Sequence, residues 1–173
     1  MNTDDIEGRR DELARPELAQ AWLREHGLLT ADETVDEADF VWLLDVRDAL
    51  RALALANNRL PLDERAVALL NEAAARTLTI HFDRGGGAVR PEGAGVPRAI
   101  GRLLAIVVDA IQDGTWARMK ACRRDVCRWL FYDYSRNRAS SWCSMAICGN
   151  RSKTRAYRRR RKEARAGEAN EVG

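Results

Sequence analysis

The stretch CRRDVCRWLFYDYSRNRASSWCSMAICGN, Cys122 to Asn150, decides how the second half of this 173-residue chain folds. Cys122 and Cys127 are separated by four residues, as are Cys143 and Cys148, and fifteen lie between the pairs. Two close pairs at that distance supply four thiolates to one tetrahedral zinc. The competing readings are two disulfides, four unrelated thiols or a catalytic metal. The opening residues MNTDDIEGRR are acidic and lack the apolar core of a secretory signal, which speaks against disulfides. A catalytic zinc keeps a position open for water, whereas four sulfurs close the shell. The spacing therefore predicts one structural zinc on Cys122, Cys127, Cys143 and Cys148. A module this poor in apolar residues needs that metal to fold. Between the pairs, alternation of Trp129 and Phe131 with Leu130 and Tyr132 predicts a short strand, and Ser135-Arg136-Asn137 a turn. Trp129, Phe131, Tyr134 and Trp142 read first as local core around the metal and second as a stacking surface for bases.

Downstream of Cys148 the chain reads GNRSKTRAYRRRRKEARAG, with nothing to break a helix between Arg151 and Arg165. Arg151, Arg155, Arg158 and Lys162 recur at helical spacing with Arg159 beside them, and Lys153 and Arg160 carry the charge around the cylinder. A basic helix fixed at its start by a metal presents arginines at defined heights to DNA phosphates or to a groove floor. Arg151, Lys153, Arg155, Arg158 and Arg159 are the candidate nucleic-acid contacts. Arginine-rich helices also recognise RNA, so an RNA- or ribosome-binding module is the first alternative. The plain alternative is a solvated basic tail.

Upstream the charge reverses. Residues 1–114 hold 13 Lys/Arg against 21 Asp/Glu, a balance of −8, while residues 115–173 hold 16 against 5, a balance of +11. That asymmetry predicts two units, with the basic one meeting a polyanion. In the acidic unit, Pro16 suits the first turn of a helix that carries Leu18, Trp22 and Leu23 on one face and stops at Gly27. Leu43, Val46, Leu50, Leu53 and Asn57 mark a long amphipathic helix, with Thr34 and Glu37 at capping-box spacing before it. Val67, Leu70 and Ala74 mark a third helix. RTLTIHFD then alternates, with Leu78, Ile80 and Phe82 on one face, and GGGAVRPEG returns, which predicts a β-hairpin. VPRAIGRLLAIVVDAIQDG is a fourth helix ending near Gly114.

The fold class is thus α+β: a mostly helical N-terminal domain with a β-hairpin over 1–115, a four-cysteine zinc module ending in a basic helix over 116–166, and a flexible tail over 167–173. No apolar run reaches the ~20 residues of a membrane helix, and a cytoplasmic location is expected. Gly85-Gly86-Gly87 lacks the Gly-Lys-Ser/Thr ending of a phosphate loop. His26 and His81 stand alone, and no Gly-x-Ser-x-Gly or HExxH occurs. Carboxylates are dense in residues 1–45 and read as a solvated face. No catalytic constellation is present in the sequence, and the chain is not expected to be an enzyme. An enzyme or ligand-binding N-terminal domain with the finger as a tether is the second alternative.

The motif Cys148-Gly149-Asn150-Arg151, with WCSMAI before it, RSKTRAYRRRR after it, the upstream Cys-x4-Cys and the linking FYDYSRN, resembles the CGNR zinc-finger family over about residues 119–162. ELARPELAQAWLREHGLL and the hairpin from Ile80 to Val89 resemble the ABATE type of stress-induced transcription regulator, the domain that usually precedes this finger. The resemblance implies a four-cysteine zinc site on Cys122, Cys127, Cys143 and Cys148 and DNA binding in bacterial transcription control. Two departures stand out. Ala139-Ser140-Ser141 occupies the place where family members often carry arginines, and Asn2-Thr3 follows Met1 directly, without the apolar strand that usually leads into Asn-Thr. The partners expected are double-stranded DNA or RNA, a second copy in a homodimer, and a small-molecule effector of unknown identity.

Overall fold

In the computed structural model the backbone is described for residues 1–171. The side chains of Asp83, Lys162 and residues 164–171, and the whole of 172–173, lie outside the described residues. The elements run β1 (Asp4–Asp5), β2 (Arg10–Asp11), α1 (Pro16–Glu25), α2 (Glu37–Ala56), α3 (Glu64–Thr77), β3 (Leu78–Asp83), β4 (Gly86–Pro91), α4 (Gly95–Gln112), β5 (Met119–Ala121), β6 (Leu130–Tyr132) and α5 (Asn150–Glu171). The strands pair as three antiparallel hairpins, β1 with β2, β3 with β4 and β5 with β6.

Each helix start has a local cause. Pro16 opens α1, where its missing N–H costs nothing. The cap of α2 is Asp36, whose carboxylate accepts from Asp39 N at 2.8 Å, and not the expected Thr34; the extended backbone at Asp36 delays the helix to Glu37. Asp63 caps α3 through Arg65 N and Ala66 N. α4 has no cap of its own. Glu33 supplies one from across the fold: Oε1 accepts from Gly95 N at 2.7 Å, while Oε2 accepts from Thr30 N at 2.8 Å and from Arg98 Nη2 at 2.7 Å. These donors hold its carboxyl down to about 2, the Thr30 backbone N–H contributing most.

Leu23, Val46, Leu50, Leu70, Val96 and Ile100 are buried where the four helices meet. The inward face of α3 is Ala66, Leu70, Ala73 and Thr77, turned by about one residue from the expected Val67 and Ala74. The small side chains allow close approach to α4: a Cβ on Gly101 would stand 2.6 Å from Thr77 O. The β3–β4 hairpin forms as expected, with Ile80 opposite Val89. Of its apolar face, Leu78 packs on the core, whereas Ile80 and Phe82 are exposed.

The first hairpin was not visible in the sequence. Two buried arginines of α2 hold it: Arg47 Nη1 donates to both carboxylate oxygens of Asp11 at 2.8 Å, and Arg51 donates to Asp4 Oδ2 at 3.0 Å and Met1 O at 2.9 Å. Several carboxylates of the supposed solvated face therefore have structural partners.

Packing also continues past residue 115. Trp116, Ala121 and Leu130 belong to the same buried cluster as the helices. Asn57 Nδ2 donates to Trp116 O and Met119 O, both at 2.8 Å, and Asn58 Nδ2 to Ala121 O at 2.6 Å, tying β5 to the end of α2. The backbone of α5 is helical to Glu171. The tail expected over 167–173 thus begins on helical backbone, and its side chains lie outside the described residues, as does that of Lys162. No helix among the described residues is long and apolar enough to cross a membrane.

Candidate metal centre and nucleic-acid interface

β5 delivers Cys122 to the site. Its backbone N–H donates to Trp129 O at 2.9 Å, closing the turn that returns the chain into β6. Cys127 stands in that turn, its N–H bonded to Arg124 O at 2.8 Å, and Arg128 takes the left-handed φ of 50° that completes the reversal. Cys143 lies on the loop before a π-helical turn over Met145–Gly149, and Cys148 lies within that turn. Ser144 Oγ caps it by accepting from Ile147 N, and α5 follows directly.

The four sulfurs lie within 4.8 Å of one another. Cys127 Sγ and Cys143 Sγ are 3.7 Å apart, as are Cys143 Sγ and Cys148 Sγ. Four thiolates at ~2.3 Å around a tetrahedral centre stand about 3.8 Å apart, so the set fits one zinc. All four cysteines are free thiols, Cys122 and Cys148 buried and the other two half-buried. Burial pushes the Cys127 thiol up to about 11 and raises that of Cys143 also. Burial opposes ionisation of Cys148 too, but the hydrogen bond from Arg124 and those among the sulfurs outweigh it and lower that thiol. A cation among the four sulfurs favours their thiolate forms, so metal binding releases their protons.

A buried ion pair supports the loops. Lys120 Nζ donates to Asp133 Oδ2 at 2.8 Å, to Arg138 O at 2.7 Å and to Ser140 O at 3.2 Å. Asp133 also accepts from Ser135 N and Oγ and from Ser140 N. Burial alone would raise its carboxyl, but these donors hold it well below the usual range. The stretch Ala139-Ser140-Ser141 is thereby tied to the Lys120–Asp133 pair and to the first cysteine loop, since Arg123 N donates to Ser141 O at 3.0 Å.

The model of the ABATE family, described as "Putative stress-induced transcription regulator", matches residues 1–114, and that of the CGNR zinc finger matches residues 118–161. The chain belongs to the ABATE family. It carries the finger in the order read from the sequence, and the cofactor this pairing supports is a single structural zinc. Among curated proteins none matches the chain.

In this ABATE chain, Arg151, Lys153, Arg155, Arg158 and Arg159 are all exposed, while Ser152 and Ala156 are half-buried. Arg124 Nη1 lies 3.9 Å from Cys148 Sγ. Arg151 Nη1 instead pairs with Glu7 Oε1 at 2.5 Å, and Arg124 Nη1 with Glu7 Oε2 at 2.6 Å. The Arg124 hydrogen bond is the main reason that the Glu7 carboxyl is held below its ordinary range. Arg159 Nε sits 3.8 Å from Glu163 Oε1. Of the four aromatics, Trp142 packs beside Gly149 at the π-helical turn, whereas Tyr134 is 87 % exposed and contacts Tyr132. Sequence reading missed Arg124, Glu7, Lys120 and Asp133, because their partners are set by pairings between distant segments.

A separate cavity of about 210 Å³ lies between the helices and the β5–β6 hairpin. Leu23, Leu50, Ile106 and Val107 of the helices and Met119 and Tyr132 of the hairpin are among its lining residues, with Arg47 among the few polar groups.

Proposed function

We propose that this chain is a DNA-binding transcription regulator in which the zinc on Cys122, Cys127, Cys143 and Cys148 fixes the root of α5, and α5 meets double-stranded DNA. The observation that carries this reading is positional. Arg151 stands three residues beyond Cys148, and the exposed Lys153, Arg155, Arg158 and Arg159 follow on the same helix. At ~1.5 Å rise per residue, Arg151 and Arg158 are about 10 Å apart along the axis, a span that fits within a DNA groove or along its phosphates. The later arginines act mainly on phosphates, and Arg151 contributes to orientation at the root. Competition between a duplex and a structured RNA hairpin at matched salt tests the reading. Preference for the duplex supports it, and preference for the hairpin selects the RNA alternative.

A second reading concerns the cavity. Its apolar walls favour a small apolar effector over a catalytic role for the N-terminal unit. Because Met119 of β5 and Tyr132 of β6 line it, such a ligand would touch the finger's support as well as the helices. Apolar compounds that raise the melting temperature of the wild type but not of an Ile106→Trp variant would support it. Equal shifts in both would remove it.

A further inference from the structure

The cleft between the first cysteine loop and α5 is lined by Arg123, Arg124, Arg151, Arg155 and Arg159, with Asp125 as the one carboxylate among its lining residues, itself paired with Arg128. Five arginines against one carboxylate leave the cleft net positive, and a phosphodiester is the ligand whose charge and oxygen spacing match paired arginines. Two of its arginines, Arg124 and Arg151, already share an anion from elsewhere in the chain. Glu7 gives one carboxylate oxygen to Arg124 at 2.6 Å and the other to Arg151 at 2.5 Å, bridging the zinc loop and the basic helix as a phosphate would.

Glu7 does not reach this position by chance of a long side chain. It stands in the turn between β1 and β2, and that hairpin is pinned to α2 by Arg47 on Asp11 and Arg51 on Asp4. Within the turn, Gly8 N donates to Asp5 Oδ1 at 2.9 Å. Arg124 is itself placed by its approach to Cys148 Sγ. The carboxylate is still 38 % exposed, so a competing anion can reach it.

We infer that the Arg123/Arg124–Arg151/Arg155 cleft is a phosphodiester site for duplex DNA and that Glu7, by holding Arg124 and Arg151, is an internal competitor contributed by the N-terminal unit. This rests on the DNA-binding reading above and adds two things to it. Arg123 and Arg124 join the contact surface although they precede the helix by more than 25 residues. The N-terminal unit, bearing a net charge of −8, restrains binding through one defined carboxylate. Whatever shifts the β1–β2 hairpin would then open the cleft.

The test is the affinity of the full, zinc-loaded chain for a 20-base-pair mixed-sequence duplex, measured for wild type, Glu7→Gln and Glu7→Ala with zinc content and melting temperature checked for each. Release of two exposed ion pairs predicts binding roughly three- to tenfold tighter in both variants. In an Arg124→Ala background the Glu7 substitutions should gain less than about twofold, because the competitor has lost a partner. A wild type that binds the duplex, with Glu7 variants that hold zinc and bind no better, overturns this inference and leaves the DNA reading intact. No duplex binding by any of the three overturns both. A gain seen only with an RNA hairpin overturns the assignment to DNA.

Discussion

Lys120 and Asp133 show how much rests on single side chains under the zinc loops. Both are buried, and the carboxylate gathers donors from Lys120, Ser135 and Ser140. Removing one partner leaves the other charge buried without compensation, so Asp133→Ala should cost about 3–5 kcal/mol in denaturant unfolding of the zinc-loaded protein. Because its folded-state pKa is depressed below the ordinary 3.8, Asp133 contributes stability that is present above that value and is lost as pH falls below it. An unchanged acid limb in Asp133→Asn would contradict this. On the phosphate surface, Arg158→Ala and Arg159→Ala should each weaken duplex binding for all sequences alike and reduce the salt slope by about 1. The cysteines were legible because their spacing is itself the chemistry. Asp133 was not: in LFYDYS it is one polar residue among aromatics, and only the register that sets Met119 opposite Tyr132 brings it to Lys120.

At the scale of elements, the helices and the β3–β4 hairpin were legible from period and turn residues, whereas β1 and β2 are two residues each and exist because Arg47 and Arg51 hold them. Helix α4 depends on a cap 62 residues away, which no local motif could signal. Glu33 has its carboxyl lowered from 4.5 to about 2, so its contribution is full above pH 4.5 and is lost as pH falls toward 2. Glu33→Gln should therefore lower the melting temperature at pH 7 more than at pH 2.5; equal losses would show that charge is not what matters there. For the zinc module, Cys143→Ser should abolish metal binding and speed hydrogen exchange in β6 and the root of α5, as metal binding and folding are linked. β5 should stay protected, because Asn57 and Asn58 hold its carbonyls from α2.

Across the whole molecule, charge divides the chain more sharply than packing does. The balance changes sign near residue 114, yet Trp116 and Ala121 are buried with the helices. A fragment of residues 1–114 should therefore melt lower than one of residues 1–121, although neither contains a cysteine pair; equal melting would show that β5 adds nothing to the core. Neither fragment should bind DNA, since their net charge repels phosphates. If the metal-rooted basic helix is the DNA-binding surface, duplex affinity of the full chain across a salt series, with zinc bound and after Cys148→Ser, depends on both the arginines and the metal. The expected result for the zinc-loaded chain is a log–log slope of about −4 to −5, corresponding to some five phosphate contacts, with affinity largely lost in the variant. A slope near zero, or a Cys148→Ser variant that binds as tightly as the wild type, would show that the metal-rooted helix is not the DNA-binding surface.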